Sequence, residues 1–401
     1  MPRDYSLRSM AWGFMAVMAV AAGPAVANDA PVSAPSAVSS QGLASPQRIS
    51  TLVRQLGDSS FSERQRASRE LIAIGIAAQD ALAAAANDPD AEIRSRARAV
   101  LAAVSESDFR DRLEAFSADY DGSQKQSLPG WERFATQMGT SRLARQLFVE
   151  MQRCEPELLA AYGKDGKAAS DVLDVRCHAL LDQLGQLSSG DGPVSLGTLA
   201  SLLLLGSADD VTVDEQLAFQ LFTWLIYRPA FRESATSGAW SPMMKKLLGM
   251  WIVKDSSPAA TAQNLIFAAN YELKPEGLSL ANKLLATDGT SPQIRQFALL
   301  SIGRFGSKEQ LPAVEKFLTD ANNCGAIQVP RPPRQLEVQV RDVALAVLVH
   351  LSGQAVRDYG TPLEPNPQSY FRVPALAFSS PAARETALAH WRHWRAEHAQ
   401  P

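Results

Sequence analysis

Four stretches of this chain share one template: Arg64-x-x-Ala67-x-x-x-Leu71, Arg94-x-x-Ala97-x-x-x-Leu101, Arg295-x-x-Ala298-x-x-x-Ile302 and Arg341-x-x-Ala344-x-x-x-Leu348. On a helix, offsets of three and seven return to nearly the same side, so Arg, Ala and the aliphatic residue fall on one packing face. The small Ala admits a neighbouring helix, the aliphatic residue fills the gap, and the Arg can reach a carboxylate or carbonyl of the adjoining turn. The first two arginines lie 30 residues apart and the last two 46, spacings that suit one helix pair per repeat.

The rest of the chain follows the same periodicity. From Pro46 onward apolar residues recur at three and four rather than two, with breaks at clusters such as Gly57-Asp58-Ser59-Ser60 and Asn87-Asp88-Pro89-Asp90. Ile74-Gly75 and Phe305-Gly306 place a Gly just past a helix end. Helices are expected over 141–153, 155–162, 168–187, 194–206, 213–228, 241–254, 258–272 and 275–287, and no run of alternating strands is found. Two long breaks, 320–336 with Pro330-Arg331-Pro332-Pro333 and 354–378 with Pro365-Asn366-Pro367, are expected as loops.

The Ile/Val-Arg-x-x-Ala phrase resembles HEAT repeats, clearly over about 46–105 and 290–353 and weakly between them. A wider likeness, carried by phrases such as Leu128-Pro129-Gly130-Trp131-Glu132-Arg133-Phe134 and Ser301-Ile302-Gly303-Arg304-Phe305-Gly306, is to a family of exported bacterial proteins with HEAT-like repeats. That family supplies no catalytic residues to carry over. The resemblance implies an all-α, HEAT-like solenoid of about seven to nine helix pairs, continuous or thickened at its centre. The expected organisation is a signal peptide (1–27), a tether (28–45), HEAT-like repeats (46–105), a central helical region (106–289), further repeats (290–353), a loop (354–378) and a C-terminal cap helix (379–401).

Export is read from Arg3 and Arg8 ahead of the uncharged stretch Met10 to Ala22, followed by Gly23-Pro24 and Ala25-Val26-Ala27. Cleavage before Asn28 is favoured over retention as a single membrane anchor, and the mature chain is expected in the periplasm, cell envelope or medium without stable membrane insertion. Cys154, Cys177 and Cys324 are too few for a disulfide-built fold. Cys154 and Cys177 either pair or stay free. Cys177-His178 lacks the first cysteine of a haem attachment motif, because position 174 is Asp.

Motifs for common chemistries are missing. The chain contains no G-x-S-x-G, H-E-x-x-H, P-loop or C-x-x-C sequence. Asp119-Tyr120-Asp121-Gly122 begins like a calcium loop but lacks the later Glu, and is expected to be a solvated helix end. His390, His393 and Glu397 share a helix face, yet they span about 10 Å along it, which favours a polar face over a metal site. His178 and His350 are expected to be satisfied structural histidines. The formal charge of −3 gives no basic field for nucleic acid, even though Arg94, Arg96 and Arg98 cluster. Phe222, Trp224, Tyr227, Phe231 and Trp240 are expected in the core rather than on a stacking platform.

These readings converge, through architecture alone, on the expectation of an exported, non-enzymatic binding scaffold for a protein or envelope partner, with no cofactor. The alternative is a periplasmic or cell-surface hydrolase using carboxylates from the two long loops. Arg64, Arg94, Arg295 and Arg341 are expected to serve packing rather than ligand binding. The last helix is expected to cap the stack, with Ala383, Ala387, Leu388, Trp391 and Trp394 filling an arc of about 140° and Arg395 snorkelling past the rings. An interfacial membrane helix is the other reading of its Trp and Arg residues.

Overall fold

A computed structural model describes residues 45–186, 194–254, 257–330, 333–360 and 377–398. The expected signal peptide, nearly all of the tether, and most of the 354–378 loop lie outside the described residues. The chain divides into two compact units, 1–106 and 107–401.

In the first unit, α1 (Pro46–Gln55) and α2 (Phe61–Ile74) are followed by a 3-10 turn (Gly75–Ala78), α3 (Gln79–Ala85) and α4 (Ala91–Ala118), within which the division falls. Pro46 opens α1, and the Ser45 hydroxyl accepts the Arg48 N–H at 3.3 Å, which satisfies one of the orphan donors of a helix start. Gly75, at φ +70°, ends α2 in the left-handed region that a side chain avoids. The core repeats at 30 residues: Leu52 matches Leu82, and Ala67 matches Ala97, all fully buried. Leu71 is also fully buried, whereas its counterpart Leu101 is half-buried because Val100 and Val104 take the interior of the longer α4.

The second unit continues with α5 (Trp131–Met138), α6 (Arg142–Cys154), α7 (Pro156–Lys164), α8 (Gly166–Gln186), α9 (Leu196–Ser207), α10 (Glu215–Ile226) and α11 (Pro229–Thr236). After these come α12 (Ser241–Ile252), α13 (Pro258–Tyr271), α14 (Lys274–Ala286), α15 (Pro292–Phe305) and α16 (Leu311–Glu315). The fold is thus mostly helical, as the periodicity predicts. Successive helices pack on one another from α10 to α15, but α9 also packs against α6 and α12, from either side of it in sequence. Every residue from Gly197 to Ser207 is buried. A helix apolar on all sides must be enclosed, and this enclosure departs from an array in which each repeat touches only its neighbours.

The expected loop at 320–336 is instead a β-hairpin, so the absence of strands expected from sequence is corrected here. β1 (Asn323–Pro330) pairs antiparallel with β2 (Pro333–Gln339), Ile327 opposite Leu336. Its cause is a short alternation: Leu336 and Val338 are buried while Gln335 and Glu337 are exposed. The hairpin interrupts the 290–353 repeat region and leads into α17 (Val340–Ser352), which packs on α15.

The last helix, α18 (Pro381–Glu397), buries Arg384, Ala387, Leu388 and Trp391. Asp119 also differs from expectation: it is 1% exposed, and its two oxygens accept the Gln124 and Gln126 N–H groups at 2.9 Å each. Both carboxylate oxygens therefore serve the turn. Arg145 lies 3.8 Å from the same carboxylate and stacks over Phe116 and Trp131, which is why an acid can sit in this interior.

Candidate functional site

The repeat arginines are placed as local clasps. Arg64 Nη1 donates to the carbonyls of Asp58 and Ser59 at 2.7 and 3.1 Å, and Arg94 Nη1 donates to those of Asp88 and Pro89 at 2.6 and 3.2 Å. Within each turn an Asp side chain accepts the N–H two residues on, Asp58 from Ser60 and Asp88 from Asp90, both at 2.8 Å. Arg295 pairs with Asp320, and Arg341 bonds Gln339 Oε1 at 2.6 Å and Glu385 at 3.3 Å. All four are half-buried rather than sealed. Within each unit the two arginines hold different turns.

The histidines and the last helix are equally dispersed. His390 stacks on Tyr359 at 4.4 Å, and His393 pairs with Glu397 at 3.2 Å. Among the described residues no group of three or more His, Cys, Asp or Glu is disposed to hold a metal ion. Trp391 is 1% exposed and stacks on the half-buried Trp394 at 5.2 Å. Arg395 Nε meets Glu315 at 2.9 Å, so its charge is paired as well as extended. The wheel did not mark Arg384, whose guanidinium grips Asp342 at 2.6 and 3.0 Å. His178 is exposed and bonds the Asp174 carbonyl at 2.9 Å. In the arginine cluster, Arg96 holds Glu92 at 2.6 Å and Arg98 the Ala86 carbonyl at 3.0 Å.

The three thiols are unbridged. Burial pushes those of Cys177 and Cys324 up to about 12, which makes them inert at neutral pH.

In the second unit the end of α9, the 208–214 connection, α10, the end of α12 and α13 meet around a cavity of about 270 Å³. Lys254 anchors it. Its ammonium donates to the carbonyls of Gly206, Ala208 and Val211 at 3.0, 2.9 and 2.6 Å. Three acceptors match the three protons of an ammonium, so Lys254 closes the end of α9 and has no proton left to offer a ligand. Burial draws the lysine down from its ordinary value, and the nearby Asp209 and Asp210 oppose that shift. Glu215 accepts the Ser257 N–H at 3.0 Å, tying the start of α10 to that of α13.

Asn264 forms part of the wall and is 4% exposed. Its Nδ2 donates to the Ile252 carbonyl at 2.9 Å, while its Oδ1 is buried with no hydrogen-bond partner. Trp251 and Phe219 supply apolar walls. Phe219 also borders a shallow shelf on α10 formed with Gln220, Thr223, Trp224, Tyr227 and Arg228, so cavity and shelf join along one helix. On this shelf the Arg228 guanidinium lies 3.4 Å above the Trp224 ring, and Gln263 donates to the Tyr227 hydroxyl at 3.1 Å. Phe222 and Phe231 are buried as expected from sequence, but Trp224 and Trp240 are half-buried and Tyr227 is exposed. Trp224 and Trp240 still pack against the core, so of the five only Tyr227, just past the end of α10, departs from the core expectation.

The hydrolase alternative required carboxylates from two loops. The first of these is the hairpin, and Asp320 at its base is held by Arg295. The larger part of the second, 361–376, lies outside the described residues. Comparison with protein-family models, curated proteins and solved structures finds no match to this chain.

Proposed function

We propose that this chain is an exported helical-repeat scaffold of HEAT-like type that binds a protein or cell-envelope partner and performs no chemistry of its own. The observation that carries the reading is the pair of concavities on α10, a cavity and an aromatic shelf that have Phe219 as a common wall. Aromatic residues half-open to solvent present large contact area at low entropic cost, which favours recognition. The twice-built arginine clasp at a 30-residue interval supports the repeat architecture, at least in the first unit. Buried charges of the second unit are paired: Asp119 with Arg145, Asp342 with Arg384, and Glu155 with the half-buried Arg176. Such pairing supports a structural role for these groups.

The experiment is a cross-linked pulldown from envelope extract with the wild type and a Trp224→Ala, Tyr227→Ala double variant. A stoichiometric partner recovered by the wild type and lost by the variant supports the reading. Turnover of an ester, glycoside, phosphate or peptide substrate by the purified chain overturns it.

A further inference from the structure

We infer that the outer edge of β1 takes an extended peptide segment of a partner, added as a third strand with aliphatic side chains at alternate positions. This edge shares no residue with the concavities on α10, so the inference goes beyond the scaffold reading and stands without them.

The bonds around the hairpin show which of its backbone groups stay open. The Val340 N–H donates to the Asn322 carbonyl at 3.0 Å, so backbone groups at even positions of this strand turn toward the chain of β1. Those at odd positions turn away: the Glu337 carbonyl accepts from Arg384 Nη2 at 3.4 Å, and the Gln339 N–H donates to Asp342 at 2.9 Å. Ala326 lies opposite Glu337 and Gln328 opposite Gln335. Residues opposite one another in an antiparallel pair either both bond across the ladder or both turn outward, so Ala326 and Gln328 direct N–H and C=O away from β2. Both residues are exposed, and among the described residues no backbone group outside the hairpin bonds to them.

Three features fit a strand at this edge. Residues 321–330 carry no charge, whereas edges left to water are usually blunted by charged side chains. The bulge at the base, between Asn323 and Gly325, and Pro330 at the end leave the stretch between them unguarded. Ile327 shares a face with Leu336 opposite it, yet Leu336 is 7% exposed and Ile327 only half-buried. The outer flank of that apolar side chain is therefore open, and an inward-facing aliphatic residue of a neighbouring strand would cover it. A two-stranded ribbon is also marginally stable unless a third strand or a helix supports it; α15 packs on β1, and Arg384 of α18 reaches the outer side of β2, which leaves the β1 edge. Main-chain bonds would hold the added segment and alternate side chains would select it. Two such edges paired across a two-fold axis would bury well under the about 1,200 Å² at which stable interfaces begin, which favours a peptide over a second copy.

The test is hydrogen exchange resolved to single amides in the purified chain, alone and with a blocked peptide copying Pro333–Gln339, the strand that already pairs with β1. A control peptide has proline in place of both Leu336 and Glu337, which removes ladder donors in either register. In the free chain the Ala326 and Gln328 amides should exchange within about tenfold of unstructured rates while the Leu336 amide is slower. The first peptide should slow Ala326 and Gln328 by about fivefold or more, and the control should not. Gln328→Pro removes an outward N–H without touching the ladder and should abolish the slowing at Ala326, whereas Gln335→Pro, on the far edge of β2, should leave it intact. Protection at Leu336 reports that each variant keeps its hairpin; if Gln328→Pro loses it, the contrast between the two peptides in the wild type decides. Protection of Ala326 and Gln328 in the free chain overturns the inference, because the edge is then covered by the chain itself or, where protection grows with protein concentration, by a second copy. Equal slowing by both peptides, or slowing by neither, overturns it as well. Failure of the pulldown leaves this measurement unaffected, so the two readings fail separately.

Discussion

Replacing Arg384 by Met isolates the cost of leaving a carboxylate alone beneath the last helix. Asp342 and Arg384 are 2% and 6% exposed and are joined by bonds of 2.6 and 3.0 Å. Met retains much of the arginine stem, so the change removes a charge and its donors without opening a large cavity. Asp342 keeps the Gln339 N–H at 2.9 Å. Breaking a buried pair from one side costs about 3–5 kcal/mol, which in a unit of this size lowers Tm by on the order of 5–10 °C. Urea unfolding followed by tryptophan fluorescence reads the effect cleanly, because every tryptophan except Trp12 belongs to the second unit. The pH dependence supplies a second readout. Burial pushes the Asp342 carboxyl up from its ordinary value, opposed by Arg384 and the Gln339 N–H, and loss of the guanidinium strengthens that push. A raised folded value gives a contribution that is complete below the unfolded carboxyl value of about 3.9 and is lost as pH rises through the folded value. The deficit of Arg384→Met is therefore largest at neutral pH and shrinks as acid protonates Asp342. Adding Asp342→Leu removes both charges and should bring stability back to within about 1 kcal/mol of the wild type. A single variant as stable as the wild type at neutral pH, or a deficit that is constant with pH, would refute the reasoning.

Expressed from its full sequence, the chain should give an intact mass corresponding to a start at Asn28 without lipid, and a mass that includes residues 1–27 contradicts this. Trp391→Ala should destabilise the second unit by about 3–5 kcal/mol in the same urea assay, and zinc should leave the melting of the wild type unchanged. Arg64→Ala and Arg94→Ala should each cost about 1–2 kcal/mol, less than a sealed charge, because both side chains are half-open and each loses bonds to two carbonyls; hydrogen exchange at Ser60 and Asp90 checks it. Maleimide at neutral pH should label Cys154 alone in the folded chain and all three cysteines in denaturant, since Cys177 and Cys324 are buried with thiols pushed up to about 12.

The helices were legible because each interior face repeats at three and four, and Pro, Ser and Gly stand at their ends: Ser195 before α9, Pro258 opening α13, Gly353 closing α17. The hairpin was not legible. Among its described residues Cys324, Leu336 and Val338 are buried, too short an alternation to stand out, and the prolines at 330, 332 and 333 carry the composition of a loop. Arg384 was not singled out from the sequence, since its partner Asp342 lies 42 residues away and nothing local marks the pairing. The cavity left no motif for a related reason. Lys254 is bound by backbone carbonyls, which every residue possesses, and Asn264 stands out only once its neighbours are known.

The enclosure of α9 sets how this chain can change length. Arrays of stacked helix pairs grow and shrink by whole units, because a duplicated pair meets surfaces like those it came from. In 46–106 the matched pair of clasps is compatible with such a history. Around α9 it is closed: a second copy of Leu196–Ser207 would present apolar sides with no second set of helices to receive them, and deletion would leave α6 and α12, its main neighbours, facing a void. At about 18 Å the helix is also too short to shelter in a bilayer core of about 30 Å. Insertions and losses should therefore accumulate toward the two ends of the chain, while the segment around α9 keeps its length.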